Sequence, residues 1–267
     1  MSFDPFKITE PTCISFSGGR TSAYMLWRVI QSGGGQLPCQ AIVCFANTGK
    51  EDEATLKFVQ DCSEQWNVPI TWLEYRVDGY AVVDFDSASR NGEPFEALIE
   101  KKNYLPNTFA RFCTSELKIN PMKKHLKSLG HEDVITFVGI RADEPRRVAK
   151  MKGNVDIKET PLASAQITVK DVLSFWSEQS FDLDTITVNG NSLLSNCDLC
   201  FLKKTDHLLG LIQDKPDRAI WWVNMEKKIG ASFNQAHPSY ADMFNYTSKQ
   251  SDMFDPNEEA ISCFCGD

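Results

Sequence analysis

Ser17-Gly18-Gly19-Arg20-Thr21-Ser22 stands between the β-prone run TCISFS (12–17) and the segment RTSAYMLWRVIQ (20–31), where Tyr24, Met25, Leu26, Val29 and Ile30 recur at helical spacing. The hexapeptide therefore reads as the glycine turn of a strand–turn–helix unit. Gly18 and Gly19 let the backbone turn with positive φ and aim N–H groups at a helix N-terminus, a natural seat for a phosphate or sulfate. Hydroxyls at Ser17, Thr21 and Ser22 add donors, and Arg20 adds a charge. A plain βα turn with a Ser/Thr cap and no ligand has the same pattern.

The unit recurs along the first half. AIVCFA (41–46) is the continuous apolar run of a strand covered on both faces, and NTGKED (47–52) leads into a helix marked by Leu56, Phe58, Val59 and Cys62. ITWLEYR (70–76) is a third strand. An irregular stretch with Gly79, Gly92 and Pro94 follows, then a basic amphipathic helix from about 114 to 129, then DVITFVGIR (133–141) as a fourth strand. Strands alternating with helices predict an α/β fold, a doubly wound parallel sheet over residues 1–150 that binds ligands at its carboxyl ends. Residues 151–267 read as a mostly helical appendage, with helices in VKDVLSFWSEQ (169–179), CDLCFLKKTDHLLGLIQ (197–213) and DRAIWWVNMEKKIG (217–230).

Composition sets the limits. The 267 residues carry 28 basic and 36 acidic side chains, net −8, with 42% hydrophobic residues, which excludes a disordered or collagen-like chain. No apolar run reaches the ~18 residues of a membrane span, so no membrane partner is expected. MSFDPFKITEPT shows no basic region followed by an apolar one, so no signal peptide and a cytoplasmic location are expected. Nine cysteines in a reducing compartment are then core thiols, metal ligands or reactive thiols. Against the acidic background, residues 141–152 hold five basic and two acidic side chains, and 116–127 hold four and one. Arg141 and Arg146 could grip phosphate or sulfate bidentately, and tRNA or DNA could use the same surface.

These stations, in this order, resemble the phosphoadenosine phosphosulfate (PAPS) reductase family of the adenine nucleotide alpha hydrolase, or PP-loop, superfamily. FSGGRTS is similar to its PP-loop, with Thr21 in place of the usual aspartate. Asn47-Thr48-Gly49 resembles its TG motif and Thr55 its following threonine, although Ala54 replaces a usual glutamate. Arg111, Cys113, Lys118 and Pro121 resemble the adenylylsulfate (APS) reductase segment R-x-C-C-x-x-x-K-x-x-P, with Thr114 at the second cysteine. Gly139-Ile140-Arg141 through Glu144 and Arg146 resemble G-x-R-x-x-E-S-x-x-R.

The resemblance implies an adenine nucleotide on Ser17–Ser22, Asn47, Thr48, Gly49, Lys118, Arg141 and Arg146, and reduction of its sulfate by a cysteine thiolate with a thioredoxin-type dithiol as reductant. It also implies a 4Fe-4S cluster on Cys113 and the pair Cys197-x-x-Cys200, to which Cys263 or Cys265 would add a fourth ligand. Zinc fits four thiolates as well. The family's nucleophile motif E-C-G-L-H is absent; Cys265 or Cys263 would stand in by position only, beside Arg141 as the catalytic cation. The same scaffold supports an ATP pyrophosphatase that binds ATP with Mg and adenylates tRNA, DNA or a small molecule for thiolation. A non-catalytic nucleotide sensor with a structural metal is the third reading. Cys13, Cys39, Cys44 and Cys62 read as core thiols. Trp221, Trp222, Phe233, Tyr240 and Phe244 read as the core of the helical appendage.

Overall fold

The structure is a computed structural model that describes residues 3–151, 158–185, 187–188, 191–194 and 196–252. It divides into two compact units, Met1–Asp198 and Leu199–Asp267.

The first unit is built on β1 (Thr12–Phe16), β2 (Ala41–Asn47), β3 (Ile70–Arg76), β4 (Gly79–Val83), β5 (Ile135–Val138) and β6 (Lys158–Glu159) in the order β4-β3-β2-β1-β5-β6. All neighbouring pairs are parallel except β3 with β4, so the fold is the doubly wound α/β sheet that the alternating pattern predicts. The order reverses between β1 and β5, and the crevice at that switch point is where such sheets take ligands.

On one face α1 (Arg20–Ser32) and α2 (Glu53–Gln65) lay Met25, Leu26, Val29, Leu56 and Val59 on Ile14, Phe16, Val43 and Phe45, all buried. The other face holds Cys13, Cys44 and Leu73 against Leu126. There α3 (Glu93–Lys102) packs on β3, and the basic helix follows as α4 (Phe112–Thr114), a π-helical turn (Ser115–Ile119) and α5 (Asn120–Ser128). The stretch read as irregular thus contains β4 and α3. The turn Val77-Asp78 closes a hairpin, with Arg76 facing Gly79, and this Asp-Gly signal is one the glycine-rich reading passes over.

After β5 come α6 (Pro145–Met151), α7 (Pro161–Ser164), α8 (Val169–Ser177), β7 (Thr187–Val188) and β8 (Asn191–Ser192). Leu162, Val172 and Trp176 enter the sheet core, and the Trp176 ring meets Phe58, Trp66, Phe175 and Phe181. Burying each large apolar side chain contributes ~1.5–3 kcal/mol, so this segment belongs to the sheet unit. The division accordingly falls after Asp198, not at residue 150.

The second unit comprises α9 (Thr205–Asp214), α10 (Asp217–Ile229) and α11 (Tyr240–Asp252), the last unanticipated. CDLC and the residues up to Lys204 precede α9 without being helical. Trp222, Phe201, Phe233 and Tyr240 form the aromatic centre of this unit, with Trp221 and Phe244 half-buried. Glu226 accepts hydrogen bonds from the backbone N–H groups of Phe233 (3.1 Å) and Tyr240 (2.8 Å). Cys13, Cys44 and Cys62 are buried as expected, but Cys39 is exposed, because it sits in the turn before β2. No described helix is long and apolar enough to cross a membrane.

Candidate functional site

Three loops at the carboxyl ends of β1, β2 and β5 bring most of the predicted residues to the switch-point edge. After β1, Gly18 adopts φ +74° and is buried against α2, and Gly19 takes the cap position of α1. A Cβ on Gly18 would stand 2.7 Å from Thr55 Cγ2 and 3.2 Å from Phe45 Cε2. Glycine is thus required twice, by conformation and by space. Ser22 is buried and wires the loop: its Oγ accepts from the Ser17 N–H (3.1 Å), donates to the Gly19 carbonyl (2.9 Å) and lies 2.9 Å from Ser17 Oγ. The first turn of α1 has no acidic residue and no side-chain cap, so its N–H groups and positive dipole end are of the kind that can receive an anion. The Thr55 hydroxyl beneath the loop is buried without a hydrogen-bond partner.

Arg20 turns away from this loop. Its Nε and Nη2 donate to the two carboxylate oxygens of Asp182 at 2.7 Å each, and Nη2 also reaches the Leu183 carbonyl at 2.8 Å. Trp176 Nε1 donates to the Arg20 carbonyl at 3.0 Å. Arg20 therefore fastens α1 to the segment after α8.

Arg141, past β5, stands beside the loop. Its Nη1 donates to Thr21 Oγ1 at 3.1 Å, its Nε to Asp143 at 2.9 Å, and its backbone N–H to Glu144 Oε2 at 3.1 Å. Burial pushes the Asp143 carboxyl up, yet its hydrogen bond and ion pair with Arg141 and the Val169 N–H together hold it below the ordinary carboxylate value. Gly139 allows the approach: a Cβ there would stand 3.0 Å from Ser22 Cα. Arg146 is exposed on α6.

After β2, Asn47 is fully buried. Its Nδ2 donates to Glu74 Oε1 (2.7 Å) and to the Ser89 carbonyl (2.8 Å), and its Oδ1 accepts from the Gly49 N–H (3.1 Å). Asn47 thus shapes the TG loop, with both hydrogens of its amide and one lone pair of Oδ1 engaged. Thr48 donates to Glu51 Oε2 from both its N–H and its hydroxyl at 2.8 Å, and its Oγ1 lies 3.4 Å from Cys197 Sγ. The other Glu51 oxygen is buried, makes no hydrogen bond, and lies 3.6 Å from Lys118 Nζ. Lys50 and Asp198 form a buried ion pair at 3.1 Å, and the Asp198 N–H donates to the Lys50 carbonyl. The structure thus joins Thr48, Lys118 and Cys197 through Glu51. Neither Glu51 nor Glu74 stood out in the sequence, one in a polar loop and the other inside an apolar strand.

Cys113 is half-buried in α4, Cys200 is half-buried in the second unit, and Cys263 and Cys265 lie outside the described residues. Among the described residues no three His, Cys, Asp or Glu side chains converge as a metal site.

A six-stranded, mostly parallel sheet with a glycine loop feeding an uncapped helix at its switch point, faced by an arginine from β5, defines a nucleotide-binding protein of the PP-loop class. The chain belongs to the family of the phosphoadenosine phosphosulfate reductase domain, whose model matches residues 11–179. It is 32% identical over 209 residues to an uncharacterized nin region protein, ORF290, of Escherichia phage lambda, which covers 74% of this chain and 68% of that protein. It is also 30% identical over 138 residues to an uncharacterized protein, MJ0066, of Methanocaldococcus jannaschii, covering 52% of this chain and 24% of that one.

Proposed function

We propose that the chain binds an adenylyl sulfate, APS or PAPS, at the carboxyl ends of β1 and β5 and reduces its sulfate to sulfite. The observation that carries this reading is the 3.1 Å bond from Arg141 to Thr21, which sets a guanidinium beside the N–H groups of the phosphate loop. Two sources of positive potential then face one anion, the arrangement that stabilises charge on a phosphosulfate and on its leaving phosphate. A cysteine thiolate attacks the sulfur, the S–O bond to the nucleotide breaks, and AMP or its 3′-phosphate departs with the electron pair. A thioredoxin-type dithiol then attacks the cysteine sulfur of the S-sulfocysteine, sulfite leaves, and the dithiol ends oxidised to a disulfide. Cys265 or Cys263 supplies the thiolate in this reading. A 4Fe-4S cluster on Cys113, Cys197, Cys200 and one of those two, or zinc in its place, is a separate expectation through which no step is routed.

The carboxylates of Asp143 and Glu144 on Arg141 favour a second reading, because they suit an anion that arrives with Mg better than a bare one. In it the loop takes ATP, and an acceptor is adenylated with release of pyrophosphate. Calorimetry with APS, PAPS and ATP separates the two. Micromolar binding of a sulfonucleotide with sulfite release on adding dithiol supports reduction; binding and cleavage of ATP alone sinks it.

A further inference from the structure

We propose that the loop between α3 and α4 is a stacking finger for single-stranded nucleic acid. Phe109 at its tip is 99% exposed, and the loop around it is well built. Asn107 Oδ1 accepts from the N–H groups of Phe109 (2.9 Å) and Ala110 (2.8 Å), and Asn107 Nδ2 donates to Tyr104 Oη (2.8 Å). Leu105 and Pro106 are buried and root the loop. A phenyl ring is thus presented to water by a hydrogen-bonded turn, which gives up burial and calls for a partner with a flat apolar face.

The surroundings define that partner. Tyr104 is half-exposed, its ring 6.3 Å from that of Phe112, and the Lys102 ammonium stands 5.9 Å over the Phe112 ring. Arg111 is exposed beside them. Residues 101–127 contain seven Lys and Arg and one acidic residue, in a chain of net −8. That single carboxylate, Glu116, accepts from Lys102 at 3.2 Å. The exposed side chains of this stretch are aromatic rings interleaved with cations, Tyr104 and Phe109 with Lys102 and Arg111. Projecting rings among cations match a polyanion that offers π-faces, and only unpaired nucleotides offer them, since a duplex keeps its bases stacked. The π-helical turn that follows the finger packs on β2 and β3, and its Lys118 reaches Glu51 just past β2. The finger is therefore rooted at the same edge of the sheet as the phosphate loop. The inference goes beyond the sulfonucleotide reading and is independent of which nucleotide the loop takes.

The test is fluorescence anisotropy of a labelled 15-nucleotide single strand and of its duplex at 50 and 200 mM salt, with the full chain. The single strand should bind more tightly than the duplex. Phe109→Ala should weaken it about tenfold, whereas Phe109→Trp should retain binding and show its added indole emission quenched. Arg111→Gln should reduce the salt slope by about one. An unchanged melting temperature in Phe109→Ala shows that the loss is not unfolding. Equal affinity of Phe109→Ala and wild type, preference for duplex, or no binding at 50 mM salt overturns the proposal. So does a dimer in sedimentation that Phe109→Ala dissociates, which assigns the finger to a second copy of the chain.

Discussion

Gly18 and Gly19 are adjacent and chemically identical, yet the structure predicts opposite outcomes for replacing them with alanine. At Gly18 the backbone has φ +74°, where an L side chain costs ~1–2 kcal/mol. The new methyl would also meet Thr55 Cγ2 at 2.7 Å and Phe45 Cε2 and Val59 Cγ2 at 3.2 Å, three side chains in a packed core. Overpacking of that kind costs about 1–3 kcal/mol, which brings the total for Gly18→Ala to roughly 2–5 kcal/mol. At Gly19 φ is −110° and ψ 157°, ordinary extended backbone, and the nearest atom to an added Cβ is Ser17 Oγ at 3.9 Å. Alanine there is a poorer helix cap but restricts the unfolded chain, so the net change should stay within ~0.5 kcal/mol. Thermal melts of the two variants give the answer. At roughly 2–4 °C per kcal/mol, Gly18→Ala should melt about 4–20 °C below wild type and Gly19→Ala within a degree or two. Equal melting points for the two variants would refute the loop geometry, and with it the placement of N–H groups on which anion binding depends.

Arg141→Lys should weaken nucleotide binding by about tenfold or more, because lysine cannot hold Thr21, Asp143 and an anion in one plane; calorimetry reads this, and an affinity equal to wild type removes Arg141 from the site. Lys118→Met should destabilise the sheet unit by ~1–3 kcal/mol, since it leaves the buried Glu51 carboxylate without its ion pair at 3.6 Å, and adding Glu51→Gln should recover part of the loss in urea unfolding. Burial holds the His125 imidazole below its ordinary value of 6.5, so neutral His125 favours the folded state above that pH, and the contribution disappears as pH falls through the lowered value. Urea midpoints between pH 7 and 5 should therefore drop more steeply in wild type than in His125→Gln; parallel curves contradict this.

Much of the fold was legible because burial on two faces imposes a signal that local chemistry cannot mask. AIVCFA had to be a covered strand, and the spacing of Met25, Leu26, Val29 and Ile30 had to be a helix. What escaped were elements whose stability comes from tertiary contacts. β4 is a half-exposed edge strand behind an Asp-Gly turn, and α3 is capped by Gly92 at φ +86°. The same asymmetry holds in the site. The loop and Arg141 were legible because motif order constrains them. What no motif shows is the partner of Arg20, since Asp182, which takes its guanidinium, lies 162 residues away.

Glu51 has no motif to recommend it, yet Lys118 and Cys197 both lead to it in the structure. A carboxylate buried to this degree is tolerated only where its oxygens find donors, and Glu51 finds the Thr48 N–H, the Thr48 hydroxyl and the Lys118 charge. The two Thr48 donors come from the TG loop and Lys118 from the turn after Cys113, and Cys197 joins through its contact with the Thr48 hydroxyl. One buried charge therefore ties together three segments that are far apart in the chain. The Thr48 hydroxyl donates to Glu51 at 2.8 Å, accepts from the Lys50 N–H at 3.3 Å and lies 3.4 Å from Cys197 Sγ. Glu51 thus orients the Thr48 hydroxyl, and that hydroxyl in turn lies against the Cys197 side chain from the far end of the sheet unit's sequence.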